Sequence, residues 1–306
     1  MTTQSDREVS AAVPAIRYAW AKVNLYLHVT GRRSDGYHEI DSLIVFAGVG
    51  DRLSFEPAET LSLHVDGPFA AAVPDDAGNL VLRAGRALAA ACAPDLGARI
   101  GLQKNLPVAA GLGGGSADAA AAIAGLVALG GLTPQAGVLE EIALGLGADV
   151  PACLFGRPVF AGGIGERLER APPVPPGWLV IVNPGVPLAT SRVFEARTGN
   201  FASAERWTSA HTDIHALADH LAGLQNDLDE PARHLAPEID SVLDRLARTA
   251  GVLLSRLSGS GATCFGLFEG PDEARAAAAE IAADQPHWWV AAAPMLHGPL
   301  NRPWSA

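Results

Sequence analysis

The sequence predicts an α+β fold, and the order of its strand and helix patterns supports that prediction. Strand-like and helix-like patterns follow one another in mixed runs, whereas a doubly wound α/β fold needs strict alternation of strands and helices. The chain is also long and apolar enough for a sizeable core, with 306 residues of which 49% are hydrophobic and 18% charged. These values favour one or two domains and are not those of a disordered chain.

The first half of the chain combines strands with helices. Residues 15–29 are predicted as a strand because apolar residues alternate from Leu25 to Val29. Asn79 is suited to cap a helix in which apolar residues recur every four positions up to Leu88. The other elements predicted here are strands at residues 40–49, 52–55, 61–65 and 99–102, and helices at residues 119–129 and 138–146.

A proline-rich stretch at residues 171–177 is the predicted domain boundary. It divides the chain into an N-terminal unit of residues 1–170 and a C-terminal unit of residues 171–306, with residues 1–14 as a loose tail. In the second unit the patterns predict strands at residues 178–182 and 288–293, and helices at residues 214–224, 239–249 and 271–284. Residues 257–268 are predicted as a glycine-rich turn that leads into a further strand.

Charge and cysteine content exclude several classes of protein. With 22 basic and 33 acidic residues, the net charge of −11 gives no basic field for nucleic acid or anionic membranes. Cys92, Cys153 and Cys264 are too far apart for a zinc motif or a disulfide framework. Residues 1–10 lack the apolar core of a signal peptide, and no stretch is apolar enough to span a membrane. We therefore expect a cytoplasmic protein that is a monomer or a weak homodimer.

Lysine is rare in this sequence. Lys22 and Lys104 are the two lysines among 22 basic residues. Because the other positive charges are arginines, these two positions indicate a need for a compact ammonium group in place of a planar guanidinium group. Chance is the alternative explanation.

A glycine-rich loop precedes the helical pattern at residues 119–129. Its glycines are Gly111, Gly113, Gly114 and Gly115. Without Cβ atoms, main-chain N–H groups can converge on an anion, and the following helix adds its unsatisfied N-terminal donors. Ser116 could present its hydroxyl to a phosphate or to Mg²⁺. The pattern favours a polyphosphate cradle over the alternative, a flexible turn before an ordinary capped helix.

Two common nucleotide motifs are absent from the sequence. There is no Gly-Lys pair, and hence no Walker A loop. Neither glycine-rich loop completes Gly-x-Gly-x-x-Gly, because Ser116 and Cys264 stand at the last position. Dinucleotide binding and the protein-kinase motif set are therefore disfavoured. The second loop, residues 258–261, is either a tight turn or a second wall of the same site.

Three motifs resemble those of the GHMP small-molecule kinases. They are Ala21-Lys22-Val23-Asn24-Leu25, the loop Pro107-x-x-x-Gly111-Leu-Gly-Gly-Gly-Ser116-Ala-Asp118, and Ser258-Gly-Ser-Gly-Ala-Thr-Cys-Phe. Within that family the match is closest to the branch that phosphorylates a cytidine diphosphate-linked methylerythritol. Its marks are Gly31-Arg-Arg-x-Asp35-Gly36-Tyr37-His38, Gly147-Ala-Asp149-Val-Pro151 and Asn226-Asp227-Leu228. The resemblance covers about residues 15–268.

The resemblance implies a fold and a reaction. The fold would have two lobes, an N-terminal ATP-binding lobe like ribosomal protein S5 domain 2 and a ferredoxin-like substrate lobe, with the site in the cleft between them. The reaction would be Mg²⁺-dependent transfer of a phosphoryl group from ATP to the 2-hydroxyl of the methylerythritol, a step of non-mevalonate isoprenoid synthesis.

The resemblance also implies the catalytic residues. Asp149 would take the proton of the substrate hydroxyl, and Lys22 would pair with it. Taken alone, Asp149 before Val150 and Pro151 is better explained as a helix N-cap, and Lys22 as a surface charge.

Ligand contacts follow from the same motifs. On the nucleotide side they are Pro107, Gly111, Gly113, Gly114, Gly115, Ser116, Asn79 and Lys104. Asn79 is equally well explained as a helix cap, and Lys104 as an exposed turn residue.

Tyr37 and His38, in a glycine-flanked turn, could stack on a cytosine and bond to its edge, with Phe194 as the opposing ring. Asn24 and Asp149 would also face the substrate. Without the resemblance, Tyr37 is a partly packed surface residue.

Three points stay open at this stage. The spacing of His211, His215 and His220 is a weak metal signal, and a solvated helix end explains it better. The chain could instead be another GHMP kinase, acting on homoserine, mevalonate or a sugar, in which the Tyr37-His38 turn would have no clear role. It could also be a non-catalytic ligand-binding or regulatory protein of the same fold, against which the presence of both Lys22 and Asp149 argues.

Overall fold

The computed structural model describes residues 15–74, 76–298 and 300, so the predicted tail at residues 1–14 lies outside the described residues. The strands are β1 (Ala15–Arg32), β2 (His38–Pro57), β3 (Ser62–Asp66), β4 (Ala98–Gln103), β5 (Val159–Gly163), β6 (Arg167–Arg170), β7 (Trp178–Asn183), β8 (Leu254–Leu257), β9 (Cys264–Phe268) and β10 (Trp289–Leu296). The α-helices are α1 (Leu80–Cys92), α2 (Gly114–Leu129), α3 (Val138–Leu146), α4 (Val150–Phe155), α5 (Thr190–Ala196), α6 (Ile214–Ala222), α7 (Asp229–Leu235), α8 (Glu238–Ala247) and α9 (Pro271–Asp284). None of the helices in the described ranges has the length and apolar character needed to cross a membrane.

The strands form one connected sheet. Its main path runs β3-β4-β2-β10-β7-β9-β8, with β1 and β5 also paired to β2, and β6 to β5. Only β3 and β4 run parallel among the paired strands described. An antiparallel sheet with helices grouped beside it agrees with the predicted α+β fold.

Strand β10 links the two halves of the chain. Six of its residues pair with β7, whereas Met295 and Leu296 pair with Ala47 and Phe46 of β2. The end of the C-terminal half therefore packs against the N-terminal half. The boundary at residue 171 stays a prediction.

Helix α2 is buried on all sides. Every residue from Ala117 to Val127 is buried, and seven alanines in the helix allow β1, β2, α1 and α4 to approach it closely. At Gly125 a Cβ atom would lie 2.2 Å from the ring of Phe55. This packing fixes the helix against the sheet and thereby fixes the position of its first turn.

Strand β2 is one long strand where the sequence predicted two. The strands predicted at residues 40–49 and 52–55 continue into one another without a break. In the structure the pairing of β1 with β2 shifts register between Trp20 and Ala21. A Cβ atom at Gly50 would lie 2.3 Å from the carbonyl oxygen of Ala19, so glycine here permits a bulge and not a turn.

The longer predicted helices are confirmed and several short elements were missed. Helices α6, α8 and α9 lie within two residues of their predicted bounds. Helices α5 and α7 and strands β5 and β6 were not predicted, because elements of four to seven residues carry little periodicity and depend on packing. Helix α2 starts five residues before its predicted start, since buried packing outweighs the low helix propensity of two glycines.

The packing at Gly125 predicts the effect of one added methyl group. Gly125→Ala should lower the free energy of unfolding by about 1–3 kcal/mol because the methyl group overlaps the Phe55 ring. Urea denaturation measures the change. The control is Gly145→Ala in α3, where a Cβ atom meets nothing within 4 Å and stability should rise by up to about 1 kcal/mol. Equal stability of Gly125→Ala and the parent protein would show that the Phe55 ring does not exclude a side chain at position 125.

Candidate active site

The N-terminus of α2 is the first component of the site. Gly113 precedes the helix with a φ of 62°, in the left-handed region, and Pro107 is buried at the start of the loop. The N–H groups of the first helical turn have no partner within the helix, and the helix dipole is positive there. Gly115 is exposed and Ser116 partly exposed in this turn. The arrangement can hold a phosphate.

Lys22 and Asp149 form an ion pair beside that turn. The Lys22 ammonium lies 3.3 Å from each carboxylate oxygen of Asp149. The lysine is 4% exposed, and its stem packs on Gly113, where a Cβ atom would be 3.1 Å from Cε. The main-chain N–H of Lys22 also donates to the carbonyl of Leu112 at 2.9 Å. Strand β1 and the glycine-rich loop are thus joined at the lysine.

Asp149 occupies the N-cap position of α4 without capping it. Its side chain makes no hydrogen bond to the first turn of that helix. The carboxylate instead faces Lys22 and stays 43% exposed. The N-cap explanation therefore accounts for the position of Asp149 in the chain but not for the contacts of its carboxylate. An exposed carboxylate in this place can accept a proton from a ligand hydroxyl.

Asn24 orients Lys22. Its side-chain oxygen accepts a hydrogen bond from the Lys22 ammonium at 2.8 Å, and its NH₂ group donates to the Ser42 hydroxyl at 2.7 Å. Asn24 is 2% exposed, so this amide is held inside the protein. A contact of Asn24 with substrate stays a prediction.

The second glycine-rich loop is a wall of the same site. The Ser258 hydroxyl accepts from the N–H of Asn24 and donates to the carbonyl of Gly111, both at 3.2 Å. A Cβ atom at Gly111 would lie 2.7 Å from the carbonyl oxygens of Ser258 and Gly261. Both explanations left open by the sequence hold: the N–H of Gly261 donates to the carbonyl of Ser258 at 3.0 Å, as in a tight turn, and this turn packs against the first glycine-rich loop.

An aromatic cluster of Tyr37, His38 and Phe194 lies at the start of β2. The rings of His38 and Phe194 stack with centroids 5.2 Å apart and planes 20° apart, and Tyr37 beside them is 62% exposed. Burial, with the nearby Arg32 and Arg197, lowers the pKa of His38, so its imidazole is neutral at pH 7.

Strand geometry relates the position of this aromatic cluster to that of the ion pair of Lys22 and Asp149. His38 and Ser42 are four residues apart on β2 and therefore point to the same face of the sheet. Four residues of strand span about 13 Å. Since Ser42 bonds to Asn24, which bonds to Lys22, the aromatic cluster and the ion pair lie along one face of the sheet.

The family follows from sequence profiles. The profile for the GHMP kinases N terminal domain matches residues 79–157, and that for the GHMP kinases C terminal matches residues 205–287. A protein of Paramagnetospirillum magneticum named 4-diphosphocytidyl-2-C-methyl-D-erythritol kinase is 56% identical over 276 residues, which cover 90% of this chain and 96% of the relative. The chain belongs to the GHMP kinases. The resemblance and the α+β fold predicted from the sequence are confirmed.

Other relatives of this GHMP kinase agree. A Rhodospirillum rubrum protein with the same name is 49% identical, covering 92% of this chain and 93% of the relative. A crystal structure of 4-(cytidine 5'-diphospho)-2C-methyl-D-erythritol kinase superposes with a TM-score of 0.75 at 38% identity, covering 93% of this chain and all of that one. A homoserine kinase from Cytophaga hutchinsonii has a TM-score of 0.68 at 18% identity, over 98% of each chain, and shares the fold.

Two predicted nucleotide contacts of this GHMP kinase, Lys104 and Asn79, have buried side chains that bond within the protein. The Lys104 ammonium is 2% exposed and enclosed by the carboxylates of Asp51 and Asp118 beneath the glycine-rich loop. Asn79 caps α1, because its side-chain oxygen accepts from the N–H of Val81 at 2.8 Å and its NH₂ group donates to the carbonyl of Pro74. The cap explanation is confirmed for Asn79, and neither side chain has an open polar face in the cleft.

The histidine cluster is explained by packing within the protein. His211 and His220 share a hydrogen bond of 2.8 Å and pack on Trp207, while His215 pairs with Glu269. The described residues contain no group of three His, Cys, Asp or Glu side chains that could hold a metal ion.

Asn226 is a structural residue of the site whose role the sequence did not predict. Its NH₂ group donates to the carbonyls of Leu257 and Gly259, and its oxygen accepts from the N–H of Leu228. The amide thereby holds the second glycine-rich loop from behind. The Asn226-Asp227-Leu228 motif was visible in the sequence, but its partner loop is about 30 residues away and only the fold brings them together.

Removing this amide should loosen the loop. Asn226→Ala leaves two carbonyls without their donor and should lower the free energy of unfolding by about 2–4 kcal/mol, measured by urea denaturation. Gln225→Ala, which removes a neighbouring exposed side chain, should change stability by no more than about 0.5 kcal/mol. If both variants unfold at the parent's urea concentration, Asn226 does not hold the loop.

Proposed function

We propose that this GHMP kinase transfers the γ-phosphoryl group of ATP to the 2-hydroxyl of 4-diphosphocytidyl-2-C-methyl-D-erythritol, a step toward isoprenoid precursors by the non-mevalonate route. The observation that carries the proposal is the pair of Lys22 and Asp149 beside the phosphate-binding turn of α2. Relatives at 49–56% identity are named for this acceptor, which supports the choice of substrate.

Asp149 is the general base in this proposal. Its exposed carboxylate takes the hydroxyl proton while the hydroxyl oxygen attacks the γ-phosphorus and the bond from phosphorus to the bridging oxygen of ADP breaks. Lys22 offsets negative charge on the reacting oxygens, and Asn24 keeps its ammonium directed at Asp149. Most of the rate enhancement then comes from positioning and electrostatics.

The nucleotide phosphates would lie against residues 111–116. The free N–H groups of the α2 first turn supply the donors, and Ser116 is the side chain best placed to touch a phosphate or Mg²⁺. A site with few protein ligands suits Mg²⁺, which keeps several waters and binds chiefly through the nucleotide phosphates. When bound, the ion would neutralise phosphate charge.

The cytosine would bind at the aromatic cluster of Tyr37, His38 and Phe194. Tyr37 and Phe194 offer rings for stacking, and the neutral imidazole of His38 offers a hydrogen bond to the base edge. The diphosphate and the methylerythritol would then extend along β2 toward Asp149.

The net charge of the enzyme indicates which class of partner it binds. A net charge of −11 suits a protein whose partner is a small molecule and not nucleic acid or a membrane. We propose that it acts in the cytoplasm. Its state as a monomer or a weak homodimer stays a prediction.

The acceptor is tested by ADP release with Mg-ATP. We expect release with the cytidylated methylerythritol and none with its cytidine-free monophosphate analogue, mevalonate, homoserine or galactose. Release with only one of the other acceptors would show that the protein is a kinase but would contradict the proposed binding of cytosine. A protein that binds ATP and releases no ADP with any acceptor would be a binder and not a kinase.

Variants of the aromatic cluster then assign the base contacts. Tyr37→Ala and Phe194→Ala should each raise the KM for the acceptor roughly tenfold, because each removes one stacking surface. The exposed aromatic control Tyr18→Ala should stay within about twofold of the parent.

Asp149→Asn tests the base. The amide cannot accept the proton, so kcat should fall by about 10² to 10⁴ while the Kd for ATP is unchanged. Asp219→Asn, on the exposed face of α6, should keep the parent kcat within about twofold. Turnover of Asp149→Asn at the parent rate would remove Asp149 from the mechanism.

A further inference from the structure

Three charged side chains are buried together beneath the glycine-rich loop. The Lys104 ammonium lies 2.5 Å from Asp51 Oδ2 and 2.7 Å from Asp118 Oδ2. The side chains are 2%, 0% and 6% exposed, respectively. Apolar residues of similar volume often stabilise a fold as well as a buried ion pair does, so stability alone is a weak reason for this cluster.

The cluster holds both ends of the glycine-rich loop. At the entry, Asp51 Oδ1 accepts hydrogen bonds from the main-chain N–H groups of Asn105 and Leu106, at 2.6 and 2.8 Å. At the exit, Asp118 lies on α2, four residues after Gly114, and is bound by Lys104. Lys104 bridges the two carboxylates. Lys104, Asp51 and Asp118, which we call the clamp, therefore connect the residues before the loop with the helix after it.

The clamp also lies close beneath the first turn of α2. A Cβ atom at Gly114 would lie 3.1 Å from the Lys104 ammonium and 3.8 Å from Asp51. The lysine therefore limits the space below the turn whose N–H groups would face a phosphate. This contact also gives a reason for lysine at position 104, since a guanidinium group is wider than the space beside the turn.

The hydrogen bonding of the cluster is incomplete. Among the described residues, Asp118 Oδ1 has no hydrogen-bond partner although it is buried. Burial raises the pKa of Asp118, and the neighbouring Lys104 opposes that rise. Buried polar atoms are satisfied in most proteins, so this unpaired oxygen adds to the reasons for a role beyond stability.

We propose that Lys104, Asp51 and Asp118 are positioning residues that set the geometry of the nucleotide phosphate site from below. They act through the main chain of residues 105–118 and do not touch the nucleotide. The proposal rests on the proposed function for the identity of the nucleotide, and it assigns these residues to the nucleotide and not to the acceptor.

The test separates nucleotide binding from acceptor binding. Asp118→Asn keeps the size of the side chain and an oxygen for Lys104 but removes the charge, and Lys104→Met removes the bridge. For each variant, the Kd for ATP is measured by calorimetric titration without acceptor, followed by the KM for the acceptor at saturating ATP and the Tm. We expect the Kd for ATP to rise about tenfold or more, with the KM for the acceptor within about twofold of the parent.

Asp284→Asn is the matched control. It breaks an exposed ion pair of 2.9 Å with Arg245, remote from the loop, and should leave the Kd for ATP within about twofold of the parent. If Lys104→Met does not fold, the isosteric Asp118→Asn still decides. A lowered Tm with an unchanged Kd for ATP in the folded variants would overturn the proposal, since it would show a purely structural cluster.

The titration without acceptor keeps the two proposals distinguishable. An error in the acceptor would appear as absent turnover in the parent protein while ATP still bound. An error in the clamp would appear as parent-like ATP binding in the variants while the parent turned over normally.

Discussion

The absence of a side chain at Gly111 is the constraint on which the site depends. Any Cβ atom there would collide with two carbonyl oxygens of the second glycine-rich loop. Because the two loops touch, one hydroxyl, that of Ser258, can bond both to the first glycine-rich loop and to the strand that carries Lys22. A chain of contacts then runs from Ser258 through Asn24 and Lys22 to Asp149. Residues more than 100 positions apart are aligned by this one close approach.

The two lysines of the chain lie on different sides of the first glycine-rich loop. Lys22 lies beside the first turn of α2 and faces a carboxylate that is open to ligands. Lys104 lies beneath that turn and faces two carboxylates that are closed to solvent. Each lysine packs closely against a glycine of the loop, since a Cβ atom would lie 3.1 Å from Cε of Lys22 at Gly113 and 3.1 Å from Nζ of Lys104 at Gly114. The pairing of compact cations with glycines explains why a chain rich in arginine keeps lysine at these two positions.

The sequence predicted those parts of the structure that local chemistry determines. Helix α9 has its predicted bounds, Asn79 caps α1, and the glycine-rich loop opens a helix, because periodicity, capping and missing Cβ atoms are local properties. It did not predict the partners of Lys104, since Asp51 lies 53 positions away and only the pairing of β2 with β4 brings them together. The stacking of His38 on Phe194 depends likewise on α5, a seven-residue helix without a recognisable pattern.

A crystal structure with a non-hydrolysable ATP analogue and the cytidylated acceptor tests the central claim most directly. It should show the acceptor hydroxyl within about 2.6–3.2 Å of a carboxylate oxygen of Asp149. The γ-phosphate should lie at the N-terminus of α2, with the cytosine against Phe194. A hydroxyl bonded to another side chain, with Asp149 turned away from it, would contradict the assignment of Asp149 as the base.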